Sequence, residues 1–176
     1  MKAQRVAFVY PGQGSQAVGM GRDLAEQFPE MADRFRRAAD TLQTPELLTY
    51  MFEGPEEELR RTDRTQPALF LVESALHDLL SARGVRPVIV AGHSLGEYTA
   101  LYAAGVLDFD QGLKLVGQRG RLMHEAGSAS GGNGAMAAVL GLDESRIEEV
   151  VAGSGGKVVV ANYNGPGQTV ISGERE

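Results

Sequence analysis

Cysteine and tryptophan are both absent from this chain of 176 residues, and aromatic residues make up 6% of it. Without cysteine there is no disulfide, no thiolate metal ligand and no cysteine nucleophile. Histidine is scarce: His77, His93 and His124 are the full set, so imidazole chemistry has few candidates. Long apolar runs are missing too. Two early positive charges precede only a six-residue run from Val6 to Pro11, too short for a signal peptide or a membrane span. A cytoplasmic location is therefore the expectation. The chain also lacks a basic excess: its formal net charge of −6 argues against general nucleic-acid binding. The arginines at 34, 36 and 37 and at 60, 61 and 64 read as solvated helix faces. The composition, 43% hydrophobic and 23% charged, is that of an ordinary globular domain with a real core.

Glycine, by contrast, is present and placed. Residues Pro87 to Tyr98 read Pro-Val-Ile-Val-Ala-Gly-His-Ser-Leu-Gly-Glu-Tyr. A β-branched run ends in Gly92-His93-Ser94-Leu95-Gly96, which opens a helix. Strand, G-x-S-x-G turn and helix together are the context of a nucleophile elbow, with Ser94 at the apex. Both glycines are expected because a Cβ at either position would collide with nearby backbone. Ser94 would then sit at a helix N-terminus, where free N–H groups favour developing negative charge.

Around this motif, Arg5–Tyr10 predicts a buried strand, followed by the glycine-rich loop 11–21. Residues 22–41 predict helix despite Pro29, and Leu47–Phe52 a short helix. Gln66-Pro67 predicts a helix start, with Ala68, Leu71, Val72, Ala75, Leu76, Leu79 and Leu80 as an apolar stripe and Gly84 as terminator. Helices are predicted over 95–104 and 110–126, and a loop over 127–134. Beyond it the pattern changes: strand 135–140, helix 143–151, strand 157–162, turn 164–167 and strand 168–172. Strand, helix and hairpin make up the first part of a β-α-β-β-α-β unit.

A serine nucleophile needs a base, an oxyanion site and a substrate anchor. The N–H of Leu95 is the usual first oxyanion donor. Gln13, at the tip of the loop leaving the first strand, can supply a second, because parallel strands present their C-terminal loops on one rim. One such donor is worth about 2.7–4 kcal/mol in the transition state. The base is harder to find. His77 reads as a half-buried structural residue, His93 as a support of the loop with its ring turned from the hydroxyl, and His124 as a helix-end residue. The base is thus expected to lie outside this sequence. Arg119 has Leu115, Val116, Leu122 and Met123 as its helical neighbours and no local carboxylate. Its partner is either a structural Asp or Glu from elsewhere or the carboxylate of a ligand held in two-point contact. Gly117 and Gly120 beside it weaken a helix by about 1 kcal/mol each, which suggests close approach of another segment.

Four segments in this order, Pro11-Gly12-Gln13-Gly14-Ser15-Gln16, Gly92-His93-Ser94-Leu95-Gly96-Glu97-Tyr98, Gln118-Arg119-Gly120 and Asn162-Tyr163-Asn164-Gly165-Pro166-Gly167-Gln168, resemble the malonyl-CoA:acyl carrier protein transacylase family. The acyltransferase domains of fatty-acid and polyketide synthases are similar, and the likeness covers essentially the whole chain. It implies an α/β fold: an α/β-hydrolase-like parallel-sheet subdomain over residues 1–127 and a partial ferredoxin-like small subdomain over 128–176. It implies that Ser94 takes a malonyl group from coenzyme A as an ester and passes it to the phosphopantetheine thiol of acyl carrier protein. Gln13 and Leu95 would stabilise the oxyanion, and Arg119 would bind the malonyl carboxylate. His93, Met123 and Asn162 would line the substrate pocket. No cofactor and no metal is implied, the coenzyme A thioester being the substrate itself. The family's catalytic histidine and the segment closing its large subdomain would follow residue 176, so the chain is expected to be an N-terminal portion.

Three other readings compete. Gly12-Gln13-Gly14-Ser15-Gln16-Ala17 formally fits the dinucleotide fingerprint, which requires a second strand ending in an acidic residue about 20 residues on. Residues 31–40 are helical in pattern instead. A serine esterase of the α/β-hydrolase class would have an apolar acyl pocket without an arginine. An inactive acyltransferase fragment is the third.

Overall fold

The two short apolar runs, each continuous rather than alternating, form the parallel sheet. In the computed structural model, which describes residues 5–129 and 134–174, β1 (Ala7–Tyr10) pairs in parallel with β2 (Ile89–Gly92). The register sets Ala7 opposite Ile89 and Tyr10 opposite Gly92. Bonds from Val88 N–H to Val6 O and from His93 N–H to Tyr10 O extend it at either end. Phe8 and Tyr10 turn towards the helices, whereas Val9 is 72% and Ile89 63% exposed. The expectation of buried strands is thus corrected. Among the described residues the sheet has two strands, and successive side chains point to opposite faces, so only the helix-facing set is covered.

Parallel strands require a crossover, and here it is helical. α1 (Arg22–Gln27) and α2 (Pro29–Thr41) replace the single helix expected over 22–41. Phe28 adopts extended geometry because it precedes Pro29, which then takes the first position of α2. Since α2 occupies the place of the second strand that a dinucleotide site demands, that reading is excluded. α3 (Leu47–Phe52) has the expected bounds, and α4 (Glu56–Leu59) is a single turn.

α5 (Thr62–Ala82) begins before the predicted start, leaving Pro67 inside the helix. The extra turn is secured by Thr65 N–H on Arg61 O and by the Thr65 hydroxyl on Leu59 O. Its residues 65–71 are buried all round, while Leu76 and Leu80 are partly exposed. A helix buried on every side is a core element rather than an amphipathic surface helix. Phe70, Leu71, Phe35, Met51, Leu95, Leu113 and Val116 pack with it. Gly84, with φ of 83°, closes the helix as expected.

α6 (Gly96–Ala103) follows the elbow, and α7 (Phe109–Ala129) comes next. α7 continues through Gly127 and Ser128, so the loop expected from residue 127 starts later; its residues 130–133 lie outside the described ones. The chain divides into two compact units, Met1–His124 and Glu125–Glu176. Within the second, β3 (Gly134–Leu140), α8 (Glu144–Gly153), β4 (Val158–Gly165) and β5 (Gln168–Glu174) form a three-stranded sheet in the order β3-β5-β4. β5 is antiparallel to both neighbours, which makes the unit a split β-α-β. No helix among the described residues is long and apolar enough to cross a membrane.

Candidate active site

Steric crowding builds the site. A Cβ on Gly92 would lie 2.0 Å from Gly96 C, and one on Gly96 would lie 2.1 Å from Tyr10 O. The elbow therefore closes only because two side chains are missing, and its helix start rests directly on the end of β1. Ser94 at the apex has φ of 55°, a left-handed conformation that costs a non-glycine residue about 1–3 kcal/mol. Gly96 N–H on His93 O and Glu97 N–H on Ser94 O hold the turn.

The loop after β1 passes beside the serine, since a Cβ on Gly12 would come within 3.5 Å of Ser94 Cβ. The same Gly12 faces the His93 ring, with Nδ1 at 3.0 Å from that position. His93 thus supports the loop. The side chain of Gln13 donates from Nε2 to Thr62 Oγ1 at 3.1 Å, tying the loop tip to the start of α5. Among the described residues, the main-chain N–H groups of Gln13 and Leu95 have no acceptor, while the Leu95 side chain is buried. Two free N–H groups therefore lie in segments near one hydroxyl, that of Leu95 at the N-terminus of α6 and that of Gln13 in the loop after β1.

Arg119 completes the cluster. Its Nη2 donates to Ser94 Oγ at 3.0 Å and its Nη1 to Gln66 Oε1 at 2.6 Å. The guanidinium also lies 5.7 Å from the centre of the Tyr98 ring. No carboxylate pairs with it among the described residues. Of the two partners that spacing left open, the structural Asp or Glu is not there. Gln66, fully buried, donates from Nε2 to Met123 Sδ at 3.2 Å, so it links Met123 to Arg119. The stripe expected around Arg119 is only partly inward: Val116 is buried, but Leu115, Leu122 and Met123 are exposed. The glycine expectation holds, because α7 approaches α5 so closely that a Cβ on Gly120 would meet Thr62 O at 2.8 Å.

The histidines serve elsewhere. His77 Nδ1 pairs with the Tyr10 hydroxyl at 2.8 Å, and burial lowers its pKa, favouring the neutral ring. Burial, aided by Glu73 and Asp78, pushes Tyr10 up to about 12. His124 lies near Arg61 and Asp63 at the start of α5. Asn162 belongs to the other unit, exposed on β4 opposite Val170, beside a register irregularity. The arginine run at 60–64 is internally committed: Arg60 pairs with Glu56, Arg61 with Asp63, and Arg64 with Glu58 while covering the Tyr50 ring. Among the described residues no group of three or more His, Asp or Glu could hold a metal ion. Sequence reasoning missed Gln66 and Thr62. The Gln-Pro pair drew notice only as a helix start, and a glutamine's partner is visible only in three dimensions.

A strained serine at a helix start, with an arginine on its oxygen that pairs with no carboxylate among the described residues, defines a site suited to acyl transfer. Residues 7–176 match the acyl transferase domain, and the chain belongs to that family. It is 46% identical over 172 residues to the malonyl CoA-acyl carrier protein transacylase of Bacillus subtilis, covering 96% of this chain and 53% of that protein. The transacylase of the same name from Escherichia coli K12 is 45% identical, with 97% and 55% covered. Among solved structures, the malonyl-CoA:acyl carrier protein transacylase of Xanthomonas oryzae superposes with a TM-score of 0.85 at 47% identity, covering 96% of this chain and 54% of that one. A malonyl-transacylase in complex with its type II PKS acyl-carrier protein gives 0.84 at 45% identity, with 97% and 55% covered. The chain spans about half the length of the curated relatives it matches.

Proposed function

We propose that this chain carries the nucleophile and acid-recognition half of a malonyl-CoA:acyl carrier protein transacylase, in fatty-acid or polyketide synthesis in the cytoplasm. The observation that carries the reading is the bond from Arg119 to Ser94, with no carboxylate paired to Arg119 among the described residues. Ser94 Oγ attacks the thioester carbonyl of malonyl-CoA; the Oγ–C bond forms, the C–S bond breaks, and the hydroxyl proton ends on the coenzyme A thiol. The N–H groups of Leu95 and Gln13 stabilise the tetrahedral oxyanion. Arg119 swings its fork from Ser94 to the free malonyl carboxylate, steered by Gln66. The phosphopantetheine thiol of acyl carrier protein then attacks the seryl ester and regenerates the hydroxyl. His93, Met123 and Asn162 are pocket residues in this reading, and no metal or cofactor takes part. The architecture proposed with it is an α/β-hydrolase-like subdomain over 1–127 and a partial ferredoxin-like subdomain over 128–176. The split β-α-β of the second unit supports the latter.

Incubation with malonyl-CoA followed by intact mass measurement tests the proposal. One malonyl group should be gained, and Ser94→Ala should gain none. Arg119→Ala should lower malonyl loading by about 100-fold, in the range expected when a charge-assisted contact is lost, while neutral acyl-CoA loading changes little. Equal loss for neutral and acidic acyl groups would remove Arg119 from recognition. No adduct on the unaltered chain would favour an inert fragment.

A further inference from the structure

One buried acid in the first unit has no part in the chemistry described so far. Glu73, midway along α5, is 7% exposed. One of its oxygens, Oε2, accepts a hydrogen bond from Oγ1 of the fully buried Thr99; the other, Oε1, is buried without a partner. No cation pairs with it among the described residues. The groups that face this region are the Tyr10 hydroxyl from β1, His77 and Asp78 from α5 itself, and Tyr102 from α6. Arg34 of α2 gives its guanidinium to Asp78 and Tyr102. An ionised carboxylate here would be a lone charge in the core, and burial accordingly raises the Glu73 pKa to about 7.

The partner's position gives this acid its significance. Thr99 stands on α6, the helix that opens with the elbow and whose N-terminus carries the Leu95 N–H. α5 grips the start of α6 by two routes. One is indirect, from His77 to the Tyr10 hydroxyl and from the Tyr10 main chain to Gly96. The other is direct, from Glu73 to Thr99.

We propose that Glu73, acting through Thr99, is a positioning residue for the nucleophile: buried and accepting from Thr99 Oγ1, it fixes the rotation of α6 and so aims Ser94 and the Leu95 N–H, and opening of that contact to water frees the acid to ionise. The inference rests on the acyl-transfer reading for its significance, but its geometry can be tested without transfer.

Amide hydrogen exchange of the full chain, followed by mass spectrometry over residues 93–100 and corrected for intrinsic rates, reads the hold directly. The unaltered protein should lose on the order of tenfold protection there as pH rises from about 4.5 to about 7, the range in which the opened state ionises and the closed one does not. Glu73→Gln, which cannot ionise but still accepts from Thr99, should keep its protection throughout. Thr99→Val should be unprotected at every pH, and Thr99→Ser should restore the unaltered profile. Phosphonylation of Ser94 by a fluorophosphonate probe should follow the same order. Matching pH profiles for the unaltered protein and Glu73→Gln would overturn the proposal, as would full protection in Thr99→Val. Should Glu73→Gln fail to fold, the Thr99→Ser and Thr99→Val pair still decides it. Failure of the transacylase reading looks different: no variant gains a malonyl group, while the exchange profiles stay as expected.

Discussion

The two sheets of this chain are held by different means. Around β1 and β2, side chains far apart in sequence pair along the length of α5: Tyr10 with His77, Gln13 with Thr62, Gln66 with Arg119, Glu73 with Thr99. In the antiparallel β3-β5-β4 sheet the side-chain bonds span less sequence, such as Tyr163 with Glu148 and Asn164 with Gln168, and the strand ladder carries the order. A ladder tolerates change at its surface because its bonds belong to the backbone. Pairing of distant side chains tolerates little, since each contact depends on two elements staying in place.

Glycine gives the sharpest way to break this comparison. Gly96→Ala sets a methyl against Tyr10 O and should destabilise the first unit by about 3 kcal/mol or more, read as a fall in the denaturation midpoint. Gly134→Ala at the start of β3 meets nothing within 4 Å and should change stability by less than about 0.5 kcal/mol. Equal effects would mean that the crowding at the elbow is relieved by small backbone shifts.

Next in size is the pH dependence of Glu73. Its folded pKa is raised to about 7 from the ordinary 4.5. On raising the pH, the unfolded chain therefore loses this proton first, and stability from this group is full below about 4.5 and falls across the window up to about 7. The loss amounts to at most about 3 kcal/mol at 1.36 kcal/mol per unit. Denaturant titrations at both ends of the window should show this slope in the unaltered protein relative to Glu73→Gln. A difference that stays constant with pH would break the assignment.

The smallest effect belongs to the second sheet. Thr169 on β5 is fully buried, and its hydroxyl has no partner among the described residues. Thr169→Val keeps the shape and removes an unsatisfied polar group, so stability should hold or rise by up to about 1 kcal/mol. A clear loss would show that the hydroxyl has a partner in solution.

Much of this was legible in the residues. The elbow, the Gly84 stop and the short helix over Leu47–Phe52 follow from local sequence, because glycine, proline and apolar spacing act within a few residues. The place of Ser94 beside the Gly12 loop also follows, from parallel strands sharing one rim. What spacing could not reveal was partnership across the chain. Arg119 stood out as an arginine without a local acid, yet Gln66, separated from it by 53 positions, gave no signal. Glu73 passed unnoticed in an apolar stripe for the same reason. The exposure of Val9 and Ile89 escaped prediction because a continuous apolar run suggests cover on both faces without showing what would supply it.

The contact between Gly96 and Tyr10 has one more consequence. There, main chain touches main chain, with no side chain between that substitution could reshape. Substitution can therefore reshape the side chains around Ser94 while the main-chain seat of the elbow stays anchored to the first strand. On the acyl-transfer reading proposed above, diversification in such a scaffold alters what is carried long before it alters where the bond is made.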